Sequence, residues 1–197
     1  MDIILASGSP RRRELLEQIG IQNYRIISPD VDEHVEGAVA PAVLVETLSR
    51  RKAEAVREKV GDGALVIAAD TVVALDGAIL GKPHSRDEAV RMLAALSGRE
   101  HAVYTGVTVL RGDRAVTEHE RTAVAFRELT QAEIEYYVAT GEPMDKAGAY
   151  GIQGVGALLI TGIAGDYFNV MGLPVCRLGR MLARFGVEVL SPVAPRQ

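Results

Sequence analysis

Three consecutive arginines, Arg11, Arg12 and Arg13, follow a short apolar run, Ile3-Ile4-Leu5-Ala6, and the tetrapeptide Ser7-Gly8-Ser9-Pro10. That order predicts a strand, a tight loop and a helix with Leu15, Leu16 and Ile19 on one face, stopped at Gly20. Ser9 suits the N-cap and Pro10 the first helical position. Three cations then occupy the first turn, where the helix dipole is already positive and each is unfavourable by about 0.3–1 kcal/mol. An anion bound there would reverse the penalty. Free N–H groups at a helix start, a glycine that lets backbone approach closely and forked guanidinium donors are the parts of a phosphate site. A solvated basic turn would carry the same residues.

Further along lie other groups able to do chemistry. Ala64-Leu65-Val66-Ile67-Ala68-Ala69 is continuously apolar, the pattern of a strand covered on both faces, and it runs into Asp70. A carboxylate at the end of a buried strand is costly unless paired, hydrogen-bonded or metal-bound, and α/β proteins place ligands at strand ends. Thr71 to Leu75 and Ala78 to Leu80 flank Asp76-Gly77, a hairpin signal that returns Gly81-Lys82-Pro83 towards Asp70. Asp30, Asp32 and Glu33 crowd one turn, which is either a solvated loop or part of a cation site. Between Gly141 and Gly172 glycine becomes dense, with Glu142, Asp145, Lys146, Tyr150 and Gln153 among it. Such spacing suits backbone packed closely on another backbone or a ligand, or a plain structural loop. His34, His84, His101 and His119 have no zinc-ligand spacing and read as structural or exposed.

The remaining elements must position these groups. Tyr24 to Ser28 reads as a second strand. Pro41 opens a helix with Leu44, Leu48 and Ala55 on its apolar face, ending near Gly61, and Lys52 lies to the side of that face. Ser85 with Glu88, and Thr130 with Glu133, have the spacing of capping boxes for two further helices. His101 to Leu110 and Ala115 to Phe126 are β-type runs joined by a turn at Arg111 to Arg114. Pro174 opens a last helix with Val175, Leu178, Leu182 and Phe185, and Val187 to Leu190 reads as a returning strand. This alternation predicts an α/β fold, and no linker divides the 197 residues into separate domains.

Composition bounds the partners. A net charge of −4 and a pI near 5.6 argue against nucleic acid, which requires a broad basic surface. A small anion in a local basic pocket remains allowed. Cys176, the only cysteine, permits no intrachain disulfide and reads as a packed core thiol in a reducing compartment. Asp2 stands where a signal peptide would carry positive charge, and Gly154 to Gly165 is too short and glycine-rich to span a bilayer, so a cytoplasmic protein away from the membrane is expected.

Several distant stretches, LASGSPRRRELL from Leu5, DVDE from Asp30, AADTVV from Ala68, GKP from Gly81 and GEPMDKAGAYGIQG from Gly141, together resemble the Maf family of nucleoside triphosphate pyrophosphatases. The resemblance extends to MGLPV ending at Val175. It implies one α/β domain over 1–197, an elongated mixed-sheet fold with two lobes around a cleft, similar to the inosine triphosphate pyrophosphatases. It also implies a homodimer and a divalent metal, Mg2+ or Mn2+. Matched position by position, the phosphate loop falls on Ser7, Arg11 and Arg12, the charged cleft residues on Glu33, Lys52 and Lys82, and the general base on Asp70. Glu33 and Asp70 would face the metal. The branch acting on dTTP and UTP is similar at Arg12, Thr71 and Gln153, and a glutamine amide offers the donor and acceptor that a uracil or thymine edge requires. The implied activity is hydrolysis to the monophosphate and pyrophosphate, with a role in nucleotide-pool cleaning or division arrest. A sugar nucleotidyltransferase and a non-catalytic nucleotide-binding regulator of septum formation are the alternatives.

Overall fold

The computed structural model describes residues 1–35, 37 and 39–190. Among the described residues seven strands, β1 (Ile3–Ala6), β2 (Tyr24–Ile26), β3 (Leu65–Leu75), β4 (Ala78–Leu80), β5 (Glu100–Arg111), β6 (Arg114–Phe126) and β7 (Ile160–Ala164), form one mixed sheet. Its order is β2-β1-β3-β5-β6-β7, with β4 added to β3. β2, β1 and β3 run parallel, and β3, β5, β6 and β7 form an antiparallel series. The described residues also form α-helices that pack around it: α1 (Pro10–Gln18), α2 (Pro41–Val60), α3 (Arg86–Leu96), α4 (Gln131–Ala139), α5 (Tyr167–Met171) and α6 (Val175–Ala183). The α/β class and the mixed sheet are as expected.

β3 organises the rest. One of its edges pairs with β5 from Val66 to Ala74 without a break. The other edge pairs with β1 only as far as Ala68 and with β4 only from Val73. Between them the edge is uncovered, and Asp70 and Thr71 lie in the gap. The expected strand end at Asp70 is therefore corrected: β3 runs on through it, and the sheet splits beside it instead. Asp70 can sit mid-strand because the missing neighbour leaves room for partners that are not strands.

Alternation along β3 sends Asp70 and Thr71 opposite ways. Leu65, Ile67 and Ala69 pack with Leu15 and Leu16 of α1 and Leu178, Met181 and Leu182 of α6. Val66 and Ala68 pack with Ala53 and Val56 of α2. Asp70 continues the α2 side and Thr71 the α1 side. Beyond the gap, Val73 and Leu75 join a separate core with Met92, Leu93 and Leu96 of α3 and Ile134, Tyr137 and Val138 of α4. The cores on either face of β3 before the gap and the core beyond it give the two lobes.

Several local expectations need correction. The buried face of α2 is Val45, Leu48, Ser49, Lys52, Ala53 and Val56, so Lys52 points inwards and not to the side. Ser9 occupies the N-cap of α1, but its hydroxyl makes no capping bond; its N–H instead donates to Ser7 Oγ at 3.2 Å. The Thr130–Glu133 capping box is complete, whereas Ser85 caps Glu88 N–H and Glu88 returns to His84 N–H. Val187 to Leu190 does not form a strand, and Phe185 lies just beyond α6. Cys176 is exposed on α6 because the apolar stripe of that helix runs through Leu178, Met181 and Leu182. Between α4 and β7 the glycine-dense stretch folds as three turns of 3₁₀ helix. Among the described residues no helix is long and apolar enough to cross a membrane.

Candidate active site

Helix α2 crosses the sheet beside β5 at Gly106, the residue paired with Asp70. A Cβ at Gly106 would lie 2.2 Å from the Val45 carbonyl oxygen, so only glycine admits the helix this closely. Two turns later α2 presents Lys52 to the split. Lys52 Nζ lies 2.5 Å from Asp70 Oδ1 and 2.6 Å from Glu33 Oε1. The ammonium and Asp70 are both buried, and removing one member of such a pair typically costs about 3–5 kcal/mol. Glu33 is exposed, on the connection between β2 and α2. The Lys52 hydrogen bond holds its carboxyl below the ordinary range against the opposing effect of desolvation, and the charges of Lys82 and Arg12 add to that lowering. Lys82 is thus near Glu33 electrostatically, although it remains exposed.

On the α1 side Arg12 ties three segments together. Its Nε donates to the Gly172 carbonyl at 2.8 Å, one terminal nitrogen to Ser7 Oγ at 3.2 Å and the other to Thr71 Oγ1 at 3.1 Å. Thr71 Oγ1 meets Thr105 Oγ1 at 2.9 Å, and Thr105 donates to the Asn169 carbonyl, also at 2.9 Å. Desolvation pushes the Arg12 pKa down while the Asp70 charge supports the cation. Arg11 reaches across to Asp145 Oδ2 at 3.2 Å. The start of α1 is therefore joined to the glycine-dense segment.

At the split Arg12 meets Thr71, and two carboxylates, Glu33 and Asp70, share the Lys52 ammonium. Among the described residues no cluster of three or more His, Cys, Asp or Glu side chains forms a cage for a metal. Two carboxylates nevertheless suit a magnesium-type ion, which completes its shell with water and substrate phosphate.

The family model described as Maf-like protein matches residues 2–185. The chain belongs to the Maf family. Among similar Maf proteins, the dTTP/UTP pyrophosphatase of Symbiobacterium thermophilum is 54% identical, with 96% of each chain covered. That of Moorella thermoacetica is 57% identical, covering 97% of this chain and 98% of its own. Among solved structures, a nucleoside-triphosphatase described as a dITP/XTP pyrophosphatase from Mycobacterium abscessus is 16% identical. It covers 94% of this chain and 98% of its own, with a TM-score of 0.46.

In this Maf protein the fold brings Ser7, Arg12 and Thr71 into direct contact, and Glu33, Lys52 and Asp70 into a second contact group. Arg11 and Lys82 border these groups without touching them. Gln153 is half-buried in the glycine-dense segment and makes no hydrogen bond to Arg12 or Thr71. Sequence reasoning missed Thr105, Asn169 and Gly106, which align the site from behind. Only Gly106, a glycine inside a β-type run, left a legible signal.

Proposed function

We infer that this Maf protein hydrolyses dTTP and UTP to their monophosphates and pyrophosphate. The observation that carries the mechanism is Asp70, buried in the sheet split, paired with Lys52 and next in sequence to Thr71, which contacts Arg12. The names of the similar Maf proteins supply the substrates.

In this mechanism Arg11, Arg12, Lys52 and Lys82 spread the triphosphate charge, with Ser7 and the backbone at the start of α1 holding its oxygens. Asp70 accepts a proton from a water whose oxygen attacks the α-phosphorus. The bond from the α-phosphorus to the bridging oxygen breaks, and pyrophosphate leaves with the electron pair. A divalent cation, Mg2+ or Mn2+, held by Glu33 and Asp70, would polarise phosphate oxygens and offset their charge. Gln153 reads the pyrimidine edge, and Arg12 and Thr71 complete the base-selective set. The homodimer and cytoplasmic location implied by the resemblance belong to the same proposal.

The test is pyrophosphate release from dTTP and UTP with added magnesium. Asp70→Asn should lose at least about 100-fold in kcat, the lower end for general-base catalysis, while still binding nucleotide. Near-normal turnover by the variant would remove Asp70 as the base. Release that requires a sugar phosphate would identify a nucleotidyltransferase instead.

A further inference from the structure

The glycine-dense segment is built around one carboxylate that the proposed chemistry does not use. Glu142 Oε1 accepts the Tyr137 hydroxyl at 2.9 Å and the Gly156 N–H at 3.0 Å, and Oε2 accepts the Val155 N–H at 3.0 Å. The Tyr137 hydroxyl in turn accepts the Gly151 N–H at 3.1 Å. These bonds grip the chain on both sides of Gln153. The wrap is too close for side chains: a Cβ at Gly154 would stand 2.7 Å from Glu142 Oε2, and one at Gly156 would stand 2.3 Å from the Gly151 carbonyl oxygen. Gly154 also has φ +67°, in the left-handed region.

The same residue anchors the segment towards the phosphate loop. Lys146 Nζ donates to the Glu142 carbonyl at 2.5 Å and to Asp145 Oδ1 at 2.7 Å, and Asp145 pairs with Arg11. Residues 142–156 thus form one hydrogen-bonded unit with Arg11 at one end and Gln153 near the other.

We propose that Glu142 is a positioning residue for base selection, fixing the backbone on both sides of Gln153 so that its amide meets the pyrimidine edge at a set distance from the phosphate loop. The proposal rests on Gln153 reading the base. A carboxylate is required because all three of its partners are donors. Glutamine at 142 would keep the shape but turn an NH2 group towards a backbone N–H.

UTP and CTP share sugar and phosphates and differ at the base edge, so the ratio of their kcat/KM values isolates selection from catalysis. Glu142→Gln should lower the UTP preference about tenfold, the worth of one hydrogen bond, mainly through KM for UTP. A purely structural role would lower the melting temperature and leave that ratio unchanged. Tyr137→Phe, which removes one donor to Glu142 and the acceptor for Gly151, should shift the ratio in the same direction and serves if Glu142→Gln does not fold. Gln153→Ala separates the two levels. Loss of preference in Gln153→Ala with none in Glu142→Gln or Tyr137→Phe overturns the role of Glu142. An unchanged ratio in Gln153→Ala overturns the base-reading assignment and the positioning role with it.

Discussion

At the scale of single residues, the chemistry-bearing side chains were readable where type and position conflict with ordinary grammar. Arginines in a first helical turn and a carboxylate following an apolar strand are such conflicts, and of these Arg12, through Thr71, and Asp70 lie at the split. What could not be read was the partner of each. Lys52 meets Asp70 from 18 residues away, Arg12 meets Thr71 from 59, and Arg11 meets Asp145 from 134. His101 shows the same limit, since nothing local predicts that it is enclosed beside Tyr150 and Phe126. Its Nε2 lies 2.7 Å from the Tyr150 hydroxyl, and its buried Nδ1 has no partner. Burial lowers its pKa from 6.5 to about 4. The folded protein therefore binds this proton less readily than the unfolded chain, so the stability from burying a neutral ring is full above pH 6.5 and falls away as pH drops towards 4. Thermal melts at pH 7 and pH 4.5 should show a smaller acid-induced loss for His101→Phe than for the parent protein. Equal losses would mean that folding leaves the proton affinity of the ring unchanged.

At the scale of elements, α2 carries the instructive error. Apolar periodicity placed Leu44, Leu48 and Ala55 inwards, yet the helix buries Ser49 and Lys52. Hydrophobic patterning turns polar residues outwards by construction. Here Ser49 finds Thr108 at 3.0 Å and Lys52 finds two carboxylates, so both can be buried. The Ser85 and Thr130 caps, the hairpin and most strands were readable because their signals are local, whereas the Ser9 hydroxyl makes no cap. The 3₁₀ turns were not, because glycine density permits many backbone paths and the choice among them is made by Glu142. Gly106 gives the element-scale prediction. Gly106→Ala would drive a methyl into the Val45 carbonyl, and α2 must retreat from β5. Overpacking of this kind costs about 1–3 kcal/mol, visible in denaturant titration. Because the retreating helix carries Lys52, kcat should fall as well. A destabilised variant with unchanged kcat would show that Lys52 holds its place independently of that contact.

At the scale of the whole molecule, the fold class followed from the alternation of strands and helices, but the split in the sheet did not. Continuous apolarity from Ala64 to Ala69 marks a covered strand without saying where its neighbours stop. That depends on β1 ending at Ala6, opposite Ala68, and β4 ending at Leu80, opposite Val73. The unbroken ladder between β3 and β5 is a beam shared by both lobes. The lobes cannot swing apart at the split without bending that beam and breaking the bonds around Asp70 and Gly106. Accommodation of a nucleotide is then expected at Val31 to His34, which are held to the rest of the fold by side chains, with Arg51 donating to the Asp32 and His34 carbonyls and Lys52 pairing with Glu33. Amide hydrogen exchange should record this division of labour. Added nucleotide should slow exchange at Val31 to His34 while leaving β3 and β5 as slow as before; a change centred on Asp70 to Val72 and Tyr104 to Gly106 would mean that the beam flexes. A span set by the β3–β5 ladder would select ligands by length, since one too short to reach from the Ser7–Arg12 loop to Gln153 could not engage both ends together.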